Sequence, residues 1–437
     1  MTLTRDRLPF KLAAALLAFA AVFFSLRALD DSGTGLPLAA AAPTAIAPDA
    51  TTDERIAALR AQIDQTPSDP EGYVSLGGAY LTKVGETADS GYYQDAEDAF
   101  RQALRVDPDN FDATTEMGKL ALARHDFRGG LRYGERARQI NPSIASNYGV
   151  LTDANVELGR YAQAERTLQT WVNLKPGLAP YARVSYFREL HGDLPGALAA
   201  MKLAASAGSS SKDFSYVQTL VGKLHFDSGR YAAAERAYRS AQGATAGGYP
   251  GALAGLGAVE AARGNYAAAL GHYRAAEQAL PVADYPLAIG EIRELQGRQA
   301  AAGRSYARTE VLIRREIPNG VDVRAELALF RAEHGDPDRA VALARATLPV
   351  RPSVTTADSL AWSLHKAGNQ PAALRWSQQA MRLGSRDPHY LYRAGMISLA
   401  AGDGDRAERL LSTLESQSPR FNPLYAPQAR EALAQLR

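Results

Sequence analysis

Glycine and alanine recur along this chain in a fixed register, and that register limits the fold more than any other feature. Ten reference positions, Ala103, Ala137, Trp171, Ala204, Ala241, Ala276, Thr309, Thr347, Ala380 and Leu414, follow one another at spacings of 34, 34, 33, 37, 35, 33, 38, 33 and 34 residues. Seven residues before them stand Ala96, Gly130, Ala164, Ala197, Ala234, Ala269, Ala302, Ala340, Ala373 and Ala407, alanine at nine of ten. Twelve residues before them stand Gly91, His125, Gly159, Gly192, Gly229, Gly264, Gly297, Gly335, Gly368 and Gly402, glycine at nine of ten. A strict period of this length marks an array of small units that bury their apolar faces only by stacking.

Each unit reads as two helices joined by a short turn. The glycine closes the first helix in the left-handed conformation that most side chains resist. His125 takes that place once, and histidine tolerates positive φ better than most residues. The alanine opens the second helix and removes bulk where helices cross. Small residues stand on the first helix too (Gly77, Gly118, Thr152, Ser185, Gly222, Gly257, Gly290, Ala328, Ala361 and Gly395), so the two helices are expected to approach closely at facing small residues. Pro108, Pro142, Pro176, Pro281, Pro352 and Pro419 stop second helices. The clearest pair of units spans Phe111–Pro176. Extra residues near 82–91 predict an extended turn in the first unit, and the spacings of 37 and 38 predict longer connections at 205–215 and 313–322. An amphipathic helix leads the array from Asp53, and Ala426–Arg437 reads as a capping helix with Arg430, Glu431 and Arg437 on its polar face.

The small residue, the glycine turn, the alanine and the closing proline resemble the tetratricopeptide repeat. Leu256-Gly257 with Gly264-Asn265-Tyr266-Ala267-Ala268-Ala269, Leu158-Gly159-Arg160-Tyr161-Ala162-Gln163-Ala164, and Asp358-Ser359-Leu360-Ala361-Trp362 carry the likeness, which covers about 70–419. The resemblance implies an all-α, right-handed superhelix of about ten helix-turn-helix units. It also implies that the concave face, built by first helices, binds peptides or protein segments.

Helical spacing puts Lys119, Asp153, Tyr186, Lys223, Ala258, Glu291, Leu329, Trp362 and Met396 in one row of that face, with Glu189 and Phe226 in the next. Lys119, Asp153, Tyr186, Glu189, Lys223, Phe226, Glu291 and Trp362 are therefore the candidate partner-binding residues, and the regular block spanning Lys119 to Lys223 is the expected preformed groove. The same side chains could instead pack across units. The Lys, Asn and Arg clamp by which some members of the family hold C-terminal carboxylates is missing, so an extended peptide with mixed anchors fits better. Tyr and Trp in the groove also suit an extended polysaccharide.

Composition excludes several chemistries. With 49 Lys and Arg against 47 Asp and Glu, the formal charge is +2, too balanced for a general polyanion binder, so no nucleic acid is expected. The absence of cysteine excludes disulfides, thiolate metal sites and a cysteine nucleophile. The seven histidines form no metal-type pair, and no Walker, GxSxG or GxGxxG motif stands in a strand-turn-helix setting. The sequence thus predicts a scaffold rather than an enzyme, with no metal and no cofactor.

Residues 1–29 hold Arg5, Arg7 and Lys11 ahead of an apolar run from Leu12 to Leu26. That pattern predicts a signal anchor or a cleaved signal peptide. The basic residues favour keeping that end in the cytoplasm, giving a single-pass membrane protein with its array outside, or a secreted or periplasmic one if cleaved. Residues 30–52 read as a disordered linker, rich in Ala, Pro and Thr, and 53–437 as the array.

Overall fold

The computed structural model describes residues 50–245 and 247–437. Among them are twenty-two α-helices. A leading helix, α1 (Thr52–Gln65), precedes ten antiparallel hairpins. Repeat 1 pairs α2 (Pro70–Thr87) with α3 (Tyr92–Val106), repeat 2 α4 (Phe111–Ala123) with α5 (Phe127–Ile140), and repeat 3 α6 (Ser146–Glu157) with α7 (Tyr161–Leu174). Repeat 4 pairs α8 (Leu178–Leu190) with α9 (Leu194–Ala207), repeat 5 α10 (Ser211–Asp227) with α11 (Tyr231–Ala244), and repeat 6 α12 (Pro250–Ala262) with α13 (Tyr266–Ala279). Repeats 7 and 8 are α14 (Asp284–Leu295) with α15 (Gln299–Arg315), and α16 (Arg324–His334) with α17 (Pro337–Thr347). Repeats 9 and 10 are α18 (Val354–Lys366) with α19 (Gln370–Ala380), and α20 (Pro388–Ala400) with α21 (Gly404–Gln417); α22 (Tyr425–Leu436) ends the array. This is an all-α repeat solenoid. The final helix buries Ala426, Ala429, Ala432 and Leu433 and exposes Arg430 and Glu431, as expected of a cap.

Local chemistry explains the hairpins. Asn110, Asp126 and Asp403 cap first or second helices by accepting from the backbone N–H three residues on. The turn glycines at 159, 192, 229, 264, 297, 368 and 402 have positive φ, and so does His125 at 61°. Two glycines of the register do not. In repeat 1 Ala88 takes the left-handed place at φ 54° and Gly91 precedes α3, while Gly335 ends α16 in an extended form at φ −152°.

Packing between paired helices differs from the expected meeting of two small residues. The small residue of the first helix sits under a large side chain four residues after the alanine. A Cβ on Gly222 would lie 2.4 Å from the Tyr238 ring, and one on Gly290 2.3 Å from the Tyr306 ring; Phe100 covers Gly77 in the same way. The glycine is a hole for a ring, and the alanine clears the way to it.

The extra residues lengthen helices instead of loops. In repeat 1 they extend α2 to 18 residues, against 13 in α4. The 37-residue spacing is taken up by α10, and the 38-residue one by α15, each 17 residues long, the latter followed by a 3-10 turn over Ile317–Asn319.

The main departure from an open solenoid is that the ribbon of hairpins stacks on itself. Intra-hairpin turns of repeats 1 to 5 rest on the connections that follow repeats 7 to 10. Arg315 Nη2 donates to Ala88 O (2.6 Å) and Asn319 Nδ2 to Ser90 Oγ (2.8 Å). His125 Nδ1 lies 2.8 Å from Asp322 O, and the Val354 N–H donates to Tyr161 Oη (2.9 Å). Gln417 Nε2 donates to Asp227 O (2.8 Å) and the Arg420 N–H to Tyr231 Oη (3.0 Å). Apolar cores cross the same seam: Tyr80, Val84 and Leu120 pack with Ile313, Val323 and Phe330, and Leu151, Phe187 and Leu190 with Val354, Leu383 and Tyr390. First helices therefore enclose a lumen.

The turn glycines make this stacking feasible. A Cβ on Gly229 (φ 69°) would stand 2.3 Å from Gln417 O, whereas one on Gly264 (φ 84°) would meet nothing within 4 Å. Gly264→Ala is expected to cost only the left-handed strain, about 1–2 kcal/mol. Gly229→Ala adds a backbone clash at the seam and is expected to cost about 2–3 kcal/mol. Urea unfolding of both variants checks this; equal losses would mean that the seam carries no energy at Gly229.

The expected single-pass membrane topology is corrected: no helix among the described residues is long and apolar enough to cross a membrane. The apolar run from Leu12 to Leu26, on which that expectation rested, lies outside the described residues, as does most of the 30–52 segment.

Candidate ligand-binding cavity

Most of the expected groove residues are engaged with their own chain. Asp153 on α6 accepts from Arg183 on α8, Nε to Oδ1 at 2.7 Å and Nη2 to Oδ2 at 2.6 Å. Lys223 on α10 bridges Glu189 Oε2 (3.1 Å) and Asp227 Oδ2 (2.6 Å). Phe226 is buried edge-on against Tyr231, and Tyr186 packs into the core shared by repeats 3, 4, 9 and 10. Trp362 is 2 % exposed and donates its indole N–H to Glu333 (2.7 Å). Lys119, the most exposed of the set, pairs with Glu116 at 2.5 Å. The spacing placed these residues on the inner face, and the stacked repeats and neighbouring first helices use up most of their polar groups there.

Glu291 differs. It lines a cavity of about 180 Å³ inside the lumen, walled by first helices of repeats 7 to 10, turn residues Ala88 and His125, and Tyr425 of the cap. Leu287, Ile313, Val323, Leu329 and Phe330 supply apolar wall. Six carboxylates also line it: Asp284, Glu291, Glu316, Glu326, Glu333 and Asp358. Four have cationic partners. Glu316 pairs with Arg315, Glu326 with Arg351, Glu333 with Lys366 and Asp358 with Arg393.

The other two have none. Glu291 accepts only from neutral groups among the described residues, the amide of Asn422 (2.9 Å) and the hydroxyl of Tyr425. Asp284 makes no hydrogen bond and no ion pair among the described residues. It is partly buried and lines the cavity. Burial, with the nearby charge of Glu326, pushes Asp284 up to about 7. Burial likewise pushes Glu291 up to about 7, partly opposed by the Asn422 hydrogen bond. His334 and His389, also on the wall, are driven down by burial to about 4 and about 3, so they are neutral near pH 7 and supply no counter-charge. His334 is further held by stacking on Tyr306 at 3.8 Å.

Asp284 was missed by the row of inner positions because it lies two turns before Glu291. The signal was present: Asp284, Leu287 and Glu291 follow an i, i+3, i+7 pattern that places all three on one face of α14. No group of three or more His, Asp or Glu positioned to hold a metal ion is found among the described residues.

No protein-family model and no curated protein matches the sequence. Solved structures similar in chain path include a human IFIT1 dimer with PPP-AAAA (17% identity, 75% of this chain and 78% of that one, TM-score 0.48). Others are yeast Tom70 (13% identity, 88% and 92%, TM-score 0.40) and TTC0263, a thermophilic tetratricopeptide repeat protein in Thermus thermophilus (21% identity, 46% and 99%, TM-score 0.37). The hairpins themselves carry the fold.

Proposed function

We propose that this chain is a non-enzymatic scaffold that holds a protein segment against the inner face of its superhelix, beside repeats 6 and 7. The observation that carries the reading is the open rim there. A Cβ on Gly264 or Gly297 would meet nothing within 4 Å, as at Gly368 and Gly402 of repeats 9 and 10, in contrast with the covered turns of repeats 3 to 5. Behind that rim the inner position of α12 left partly exposed is Ala258, a small residue that leaves room for a bound chain's side chains, near Glu294 on α14. The acidic lining favours a segment with basic side chains and opposes a phosphate backbone. The polysaccharide alternative loses support because the aromatic rings it needs, Trp362 and Tyr390 among them, are buried in the cores.

A photo-crosslinking residue at Ala258 is expected to capture a defined protein that the same residue at Gly271, exposed on the outer α13, does not. Equal capture at both positions, or none at Ala258, overturns the reading.

A further inference from the structure

The luminal cavity has two properties that together specify a ligand. Its wall is largely apolar, and two of its six carboxylates, Asp284 and Glu291, lack a cation. Both lie on one face of α14, seven residues apart, which sets them about 10 Å apart along the helix axis. Leu287 stands between them on the same face. The pattern is acid, hydrocarbon, acid. It complements a molecule with two positive ends joined by an aliphatic stem. The other charged groups in the wall do not neutralise this pair: Arg315 and Arg393 are spent on Glu316 and Asp358, His125 lies beside Glu326 at 3.9 Å, and His334 and His389 are uncharged near neutral pH.

Size argues for a small molecule here instead of a polypeptide, since the cavity holds about 180 Å³. The cavity is lined by first helices of repeats 7 to 10, by α15 and the connections on either side of repeat 7, by turn residues of repeats 1 and 2, and by Tyr425 of the cap. A polypeptide entering it would bring backbone N–H and C=O groups against apolar wall without partners, at a cost an aliphatic amine avoids. Alkylammonium groups, with a pKa of about 10.4, are almost fully protonated at about pH 8, so a diamine carries both charges there while the two carboxylates are ionised.

We propose that this cavity binds an aliphatic diamine or polyamine, one ammonium at Asp284 and one at Glu291, with its hydrocarbon stem along Leu287 and Leu329. The assignment does not rest on the partner-binding reading, because capture at Ala258 and amine binding in the cavity succeed or fail separately.

Calorimetric titration of the folded chain at pH 8 in an amine-free buffer tests it, with diaminooctane and spermidine as probes and octanediol and hexylamine as controls. Diaminooctane is expected to bind, hexylamine to bind about tenfold more weakly for want of one ion pair, and octanediol not at all. Asp284→Asn and Glu291→Gln are each expected to weaken diaminooctane about tenfold, and the double variant about a hundredfold, since the sites are too far apart to couple strongly. Octanediol binding as well as diaminooctane in the unaltered chain overturns the proposal without recourse to any variant. So does diaminooctane failing to bind at all, or binding the folded double variant undiminished.

Discussion

Replacing Arg351 by alanine is expected to destabilise the chain by about 3–5 kcal/mol. Arg351 lies in the connection between α17 and α18, 2 % exposed, and reaches across the seam to repeat 3. Its Nε donates to Glu157 Oε2 (2.7 Å), its Nη1 to Glu326 Oε1 (3.0 Å), and its guanidinium lies 5.0 Å from the centre of the Phe127 ring. Burial opposes its charge, but Glu157 and Glu326 together more than offset that and keep it protonated. Truncation leaves Glu157, only 1 % exposed, as a buried charge without its cation. The cause is therefore the stranded carboxylate more than the lost attraction. Pairing Arg351→Met with Glu157→Gln is expected to recover at least half of the loss, because it removes both charges and keeps the volume. Guanidinium unfolding midpoints of the two variants decide this. A double variant as unstable as Arg351→Ala would mean that the ion pair itself, not the stranded charge, holds the seam.

The second large effect is a dependence on pH. Asp284 and Glu291 hold their protons in the folded chain up to about pH 7, whereas in the unfolded chain they release them near pH 4. The stability due to their protonated forms is complete below about pH 4 and is lost as pH rises to about 7. His334 and His389 act in the opposite sense. Their folded values are depressed, to about 4 and about 3, so the stability due to their neutral forms is present above about pH 6.5 and lost as pH falls. Over pH 4 to 6.5 the two pairs oppose each other, and the intact chain is expected to show a shallow profile there. The double variant Asp284→Asn with Glu291→Gln isolates the carboxylates. Its advantage over the intact chain is expected to be near zero at pH 4, to grow through pH 5 and 6, and to level off above pH 7 at about 4 kcal/mol after allowance for partial solvent screening. Thermal unfolding of both chains from pH 4 to 8 measures it. An advantage that does not change with pH would place the two carboxylates in solvent.

The hairpins were legible because their determinants are local. Gly159, Gly192 and Gly229 mark turns that need positive φ, and Ala96 or Ala234 marks a crossing with no room for more. The role of Tyr238 over Gly222 was less visible, since the two lie 16 residues apart on different helices and only their geometry reveals the hole. The seam was not legible at all. Arg351 and Glu157 are separated by 194 residues, and their meeting depends on rotations summed over several repeats, each too small to read from a spacing. The site suffered for the same reason. Asp153, Lys223 and Trp362 occupy inner positions, as the helical period required, yet whether an inner side chain is free depends on its neighbours in adjacent and distant repeats. Glu291 stands at an inner position and lines the cavity, and its missing cation shows only in three dimensions.

The seam also bears on how such an array can change over generations. Open solenoids lengthen or shorten readily, because a gained or lost unit disturbs only the two units beside it. Here Gly159 lies against Pro352, Gly192 against Gly384 and Gly229 against Gln417. Duplicating one unit anywhere between repeats 5 and 7 would shift every one of these partners by a full unit at once. Glu157 would then face a connection without its arginine, and Tyr231 one without Ser418. The number of units between the two halves of the seam is thus fixed by the fold, while units appended beyond repeat 10 are not. Length variation among natural descendants of this chain should be confined to its ends.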